Sequence, residues 1–234
     1  MTALRTPAGT AVAGIDRWRG GWVVALLAGR TLRLDVAATT SDALDLTEGC
    51  AVVAVDMPMA LPVRGRREAE AELRARLGRA GSSVFISPTR AAIVAADRAA
   101  ATEVNRAHDG PGISAQAWGL AASVRELRDT LPGHPAFGRW FETHPEMAFA
   151  EINGGEPMAS KKSALGVAQR LHALRPMISS LDDLLLQAPA KVPVDDVLDA
   201  IAACWSAERI YAGTDLVLGP SGRDDEGFEQ SIRI

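Results

Sequence analysis

Five aspartates are placed where carboxylates could work together. Asp16 follows the apolar run Val12–Ile15, and Asp56 follows the apolar run Ala51–Val55. Asp195, Asp196 and Asp199 open a later helical segment, Val194-Asp195-Asp196-Val197-Leu198-Asp199. Brought together, such acids repel: two carboxylates about 4 Å apart cost roughly 4 kcal/mol at an effective dielectric near 20. A divalent cation removes that cost and brings Lewis-acid chemistry, so the pattern points to a Mg²⁺ or Mn²⁺ site for phosphoryl transfer. Glu142 and Glu146, in Glu142-Thr143-His144-Pro145-Glu146, are further candidates as ligand or general base; the plainer role for Glu146 is an acid in a helix's first turn. His144 reads as structural, and the other histidines lack ligand spacing.

The strands that must carry these acids can be read from the chain. Ala11–Asp16, Trp22–Ala28 and Thr31–Ala37 form an antiparallel meander, with turns at Arg17–Gly21 and Ala28–Arg30. Ser41 caps a short helix to Leu46, and Cys50–Val55 is apolar throughout, as a strand buried on both faces is. A right-handed crossover sets this fourth strand parallel to the first. Adjacent strands lie about 4.8 Å apart, so Asp16 and Asp56 meet at one sheet edge. Helices are expected over Arg67–Leu77, Ala91–Arg106, Ser114–Leu131, Met147–Ile152, Ser163–Leu174, Leu181–Leu186 and Val194–Tyr211, with a strand at Arg139–Thr143 and a polar, irregular tail after Gly219. On the last helix, Val197, Leu198, Ile201, Cys204 and Trp205 make an apolar stripe. Asp195 and Asp199 fall within about 40° of each other opposite it, and Asp196 about 60° further on. Capping explains Asp195 but not Asp199, which lies in the second turn among Ala202, Ala203 and Ser206, a face suited to being covered or to lining a cleft.

Composition narrows the classes. The chain has 234 residues, 47% hydrophobic and 23% charged, with net charge −4. That suits a soluble globular protein and gives no general basic excess for nucleic acid. No run approaches the roughly 20 apolar residues of a membrane helix. Residues 1–10 read as a mobile arm without a signal peptide, and two cysteines in apolar stretches fit a cytoplasmic setting. Arg64, Arg66, Arg67, Arg74, Arg76 and Arg79 cluster with Glu68, Glu70 and Glu72, either as a basic patch or as an ion-paired solvated helix. Only three lysines occur, two of them the pair Lys161-Lys162, which could contact phosphate or end an exposed loop. No Gly-Lys-Ser/Thr phosphate loop and no nucleophile elbow is present.

Several segments in this order resemble one family. They are Gly14-Ile15-Asp16 with Gly20-Gly21-Trp22, Val55-Asp56-Met57-Pro58, Arg67…Glu70…Arg74…Leu77-Gly78 with Ser82-Ser83-Val84-Phe85, Glu142–Glu146, Ser160-Lys161-Lys162, and Asp195–Ala200. The chain resembles domain-of-unknown-function family 429, a family of predicted nucleases with an RNase H-like fold, from about Val12 to Ile232. Glu70 departs from the aspartate expected there. The resemblance implies an α/β fold: an RNase H-like mixed five-stranded sheet flanked by helices, with a helical insertion after strand four. It implies one domain over 11–234 with the insertion at about 63–135. It implies metal ligands Asp16, Asp56, Asp196 and Asp199, with Glu146 assisting catalysis and Arg67, Arg74 and Lys162 holding phosphates. The Asp196-x-x-Asp199 pair is also similar to the final helix of RuvC-like resolvases. The expected activity is a metal-dependent nuclease or phosphodiesterase acting on DNA or RNA, with two metals held by these acids activating water and stabilising the leaving oxygen. Two alternatives stand beside it: a nucleotide-binding phosphotransferase of the actin/sugar-kinase type, and a non-catalytic RNase H-like binding module.

Overall fold

Alternation of Val, Ile, Leu and Ala with short glycine turns builds the first sheet strands. In a computed structural model describing residues 3–234, apart from the Ser83 side chain, β1 (Ala11–Trp18), β2 (Gly21–Ala28) and β3 (Thr31–Ala37) form an antiparallel meander. Helix α1 (Thr40–Leu46) crosses to β4 (Cys50–Val55), which pairs parallel to β1. There follow α2 (Glu68–Leu77), α3 (Arg90–Ile93), α4 (Arg98–Ala107), α5 (Ala115–Gly119) and α6 (Ala121–Thr130). Strand β5 (Trp140–Glu142) joins β4 in parallel. Then come α7 (Pro145–Ile152), α8 (Ala164–Leu174), α9 (Leu181–Leu186) and α10 (Val194–Ala212), and a two-stranded ribbon of β6 (Val217–Leu218) and β7 (Ile232–Arg233). The five-stranded sheet has the order β3-β2-β1-β4-β5. A three-strand antiparallel meander extended by two parallel strands is the RNase H-like, mixed α/β topology.

The chain divides into two compact units. One comprises Met1–Met57, Pro135–Leu216 and Arg233–Ile234; the other comprises Pro58–His134 and Val217–Ile232. The first holds the five-stranded sheet. Its β2 is buried along nearly its whole length, whereas edge strand β3 alternates between exposed and half-buried residues. Helix α10 packs across β1, flanked by β2 and β4. Gly14 makes this contact achievable: a Cβ there would stand 1.9 Å from the Cys204 nitrogen and 2.3 Å from the Ala200 oxygen. The second unit has its own apolar cluster, Ala92, Ala101, Ile113 and Ala117, with Phe85, Ala95, Val104 and Trp118 against it. Buried Asn105 ties it together, accepting from Thr89 N–H at 2.8 Å and donating to Pro111 O at 2.8 Å.

Several local expectations are corrected. Strand β1 does not stop at Asp16 but runs to Trp18, because the hairpin with β2 continues after parallel pairing with β4 ends at Ile15–Val55. Thr39, not Ser41, caps α1, in a reciprocal capping box with Asp42. The helix expected over Ala91–Arg106 is two helices, since Asp97 starts a new one by accepting from Ala100 N–H. The segment capped by Ser114 breaks after Gly119. The tail is not merely irregular: Phe228, Ile232 and Ile234 are buried. In the stretch expected as an arm, residues 1 and 2 lie outside the described residues. From residue 4 it carries contacts, Leu4 N–H donating to Met177 O at 3.1 Å and Thr6 N–H to Gly29 O at 2.8 Å. Cys50 and Cys204 are free and buried. Among the described residues, no helix is long and apolar enough to cross a membrane.

Candidate metal centre

The acids meet because strand register and one close helix packing place them. Asp56 directly follows β4, and its N–H donates to Ile15 O at 2.9 Å, which seats it beside Asp16. One strand further, Thr143 N–H donates to Val55 O at 3.0 Å, so buried Glu142 lies at the same edge of the sheet. From the other side, the contact at Gly14 brings the first turns of α10 against β1. Asp199 is buried there (2% exposed), as is Asp16 (5%), while Asp56 and Asp196 are half-buried. The small residues Ala202, Ala203 and Ser206 prove to be on a covered face.

Burial and mutual repulsion dominate the electrostatics. Burial pushes the Asp16 carboxyl well above its usual range, helped by the charges of Asp56 and Asp199. Asp56 is pushed up to about 7, first by burial and then by the Asp199 charge. Burial also raises Asp199, opposed by the Lys161 ammonium. Asp196 is pushed up to about 6 by burial, by neighbouring Asp195 and by Asp199. Asp195 itself makes no side-chain cap; Pro193 occupies that position. The wheel placed Asp195 with Asp199, yet it is Asp196, one turn before Asp199, whose charge reaches Asp16.

Lys161 is the cation already present. Its Nζ is ion-paired with Asp199 Oδ2. Burial disfavours its charge, but Asp199, Asp16 and Asp56 outweigh this and hold its pKa above that of an ordinary lysine. The other Asp199 oxygen, Oδ1, is buried with no hydrogen-bond partner. Among the described residues, no three His, Cys, Asp or Glu side chains converge as a ready-made ligand set. The donors nevertheless suit a hard divalent ion: they are all carboxylate oxygens, and one of them is an orphan inside the cluster. Asp16, Asp56, Asp199 and Asp196 would hold the ion.

The remaining expected residues are differently engaged. Glu146, in the first turn of α7, accepts from Arg170 Nη2 through both oxygens, at 2.7 and 2.9 Å. Arg170 is fully buried on α8. Its Nη1 donates to Ala159 O at 2.9 Å and to Gly166 O at 3.0 Å. His144 caps α7 with Nδ1 accepting from Met147 N–H, and burial, then the Lys161 charge, lowers its pKa to about 4. Lys162 is exposed. Arg67 and Arg74 belong to the other unit, where buried Arg67 pairs with Glu70 at 3.5 Å and Nη2 donates to Gln230 O at 3.3 Å. Glu70, the departure from the family pattern, accepts from Ser87 N–H at 3.1 Å.

Sequence reasoning singled out the Lys161-Lys162 pair for phosphate and took Lys162 as the site residue; it missed the pairing of Lys161 with Asp199, and it missed Arg170. The adjacent lysines in a lysine-poor chain were the visible signal for the first. A lone arginine on an amphipathic helix gives no such signal.

Among known proteins, a family model described as "Protein of unknown function (DUF429)" matches residues 14–222. No curated protein matches the chain. A solved structure titled "Thermus thermophilus RuvC structure" is similar at 15% identity and a TM-score of 0.39, covering 88% of this chain and 98% of that one.

Proposed function

The chain belongs to the DUF429 family of proteins of unknown function, and we propose that it is a metal-dependent phosphodiesterase that cleaves nucleic acid. One observation carries the reading: buried Asp16 and Asp199 and half-buried Asp56 act on one another as a carboxylate cluster in which Asp199 Oδ1 is buried without a partner. Charge buried without compensation is costly, and a scaffold retains it where a ligand restores the balance. Mg²⁺ or Mn²⁺ bound there supplies Lewis-acid polarisation of a phosphoryl oxygen and acidifies water.

The protein's own residues do the rest of the work. Asp16 and Asp56, fixed by the backbone bond between β1 and β4, define one side of the cluster. Asp199 and Asp196 close it from α10. Asp196, half-buried and raised to about 6, is the acid best placed to exchange a proton with solvent near neutrality. Glu146 acts through Arg170, which orders the loop before α8. Lys162, exposed beside Lys161, is assigned to a substrate phosphate; Arg67 and Arg74 are assigned to phosphate within the second unit. The reading includes a single RNase H-like domain over 11–234 with a helical insertion at about 63–135. It also includes a cytoplasmic setting, supported by two free buried thiols.

The test is cleavage of a panel of single- and double-stranded DNA and RNA with Mg²⁺ or Mn²⁺. Wild type is expected to cut at least one substrate. Asp16→Asn should lose activity beyond the roughly 100-fold that removing a ligand's supporting partner costs. Wild type and variant that are equally inert, or equally active, would contradict the proposal.

A further inference from the structure

We propose that Lys161 is a cation built into the carboxylate cluster: its ammonium fills the Asp199 end, so the protein takes one divalent ion where bare carboxylates would take two. The inference rests on the reading of the acids as a divalent-metal site and assigns that site its stoichiometry.

Charge balance is the first support. Asp16, Asp56 and Asp199 bring three negative charges, and Lys161 returns one. One divalent ion neutralises the remainder, whereas two would leave the three acids and the lysine together with a net charge of +2. Asp196 and Glu142 act on this set more weakly: Asp16 feels Asp196 less than Asp56, Asp199 or Lys161, and Asp56 feels Glu142 less than Asp199 or Lys161.

The second support is that the Lys161 loop is constructed rather than draped. Ala159 N–H donates to Gln169 Oε1 at 2.8 Å, and Ala159 O accepts from the buried Arg170 at 2.9 Å. Ser160 O accepts from Ser163 N–H at 2.9 Å and from Ser163 Oγ–H at 2.8 Å. The loop sits directly on α8 at Gly166, where a Cβ would lie 2.0 Å from Ser160 O. The backbone before and after Lys161 is thus pinned. The two adjacent lysines take different fates, one paired to a buried acid and one exposed.

The third support is the asymmetry of Asp199. Oδ2 is taken by Lys161, while Oδ1 is buried and unpartnered. One oxygen therefore serves the internal cation and one remains for an incoming ion.

The test counts Mn²⁺ bound to the full-length protein, by equilibrium dialysis and by the loss of free-ion electron paramagnetic resonance signal. Wild type, Lys161→Gln and Lys161→Arg are compared, with circular dichroism to establish folding. The expected counts are one ion for wild type, two for Lys161→Gln and one for Lys161→Arg, which keeps the charge. A purely structural lysine would not change the count in this charge-dependent way. Two ions in wild type, or an unchanged count and affinity in Lys161→Gln, overturns the inference and leaves the metal-site reading standing. No Mn²⁺ bound by any of the three proteins overturns both. Any other pattern of counts overturns the inference.

Discussion

At the scale of single residues, the cluster behaves as a proton store whenever no cation is bound. Asp56 is raised to about 7 by burial and then by Asp199. A carboxyl raised in the folded state stabilises the fold least when ionised. Stability from this group is greatest below about pH 4, its unfolded range, and is lost as pH rises to about 7. In chelator, the wild type should therefore lose stability across that window relative to Asp56→Asn. The difference should approach on the order of 4 kcal/mol above pH 8, favouring the variant. Parallel denaturation profiles for the two proteins from pH 4 to pH 8 would show that burial of Asp56 carries no such cost. Lys161 depends on pH in the same sense, in a higher window: its pair with Asp199 is fully effective below about pH 10.5 and is lost as pH rises through the raised pKa. Arg170 is the other decisive residue. Arg170→Met should free Glu146 and Ala159 together, and hydrogen exchange at residues 159–163 should accelerate about tenfold or more, equivalent to the 1.4 kcal/mol or more of a lost charge-assisted bond. Unchanged exchange in that loop would mean that the Ser160–Ser163 bonds suffice alone.

At the scale of elements, the helix–strand contact at Gly14 governs the site. Gly14→Ala forces a methyl group into the α10 backbone, where no side-chain rotation can relieve it. We expect a loss of about 3 kcal/mol, the upper range for overpacking, seen in the urea midpoint. A loss under about 0.5 kcal/mol would show that α10 can move away at little cost. Much of this level was legible in the sequence. Strands two to four, their parallel or antiparallel sense, and the cap Ser114 follow from apolar runs and local polar residues. The breaks at Asp97 and after Gly119 were hidden, because alanine-rich segments favour helix on both sides and a single cap or glycine decides the boundary. The full length of β1 was hidden too, since Asp16 and Arg17 look like strand-ending residues until β2 pairs with them.

At the scale of the whole molecule, Asp16, Asp56, Asp196, Asp199 and Lys161 belong to one compact unit, Met1–Met57 with Pro135–Leu216 and Arg233–Ile234. The strand order that assembles them was legible, because it follows from the meander and one right-handed crossover. The counter-charges were not: Lys161 and Arg170 reach the acids through loop and helix packing that no local pattern encodes. Added Mn²⁺ should thus raise hydrogen-exchange protection in β1, β4, the 159–163 loop and the start of α10, and leave the Asn105-centred cluster of the other unit unchanged. Protection confined to that other unit would place the ion elsewhere.

The central claim, that these acids form one divalent-ion site, is tested most directly by thermal unfolding during a Mn²⁺ titration. At about 100 times its dissociation constant, a ligand specific to the folded state adds roughly 2.7 kcal/mol, or about 5–10 °C in Tm for a chain of this size. The account predicts such a rise in wild type and its loss in both Asp16→Asn and Asp199→Asn. A wild-type Tm that does not move, or a rise that both variants retain, would contradict it.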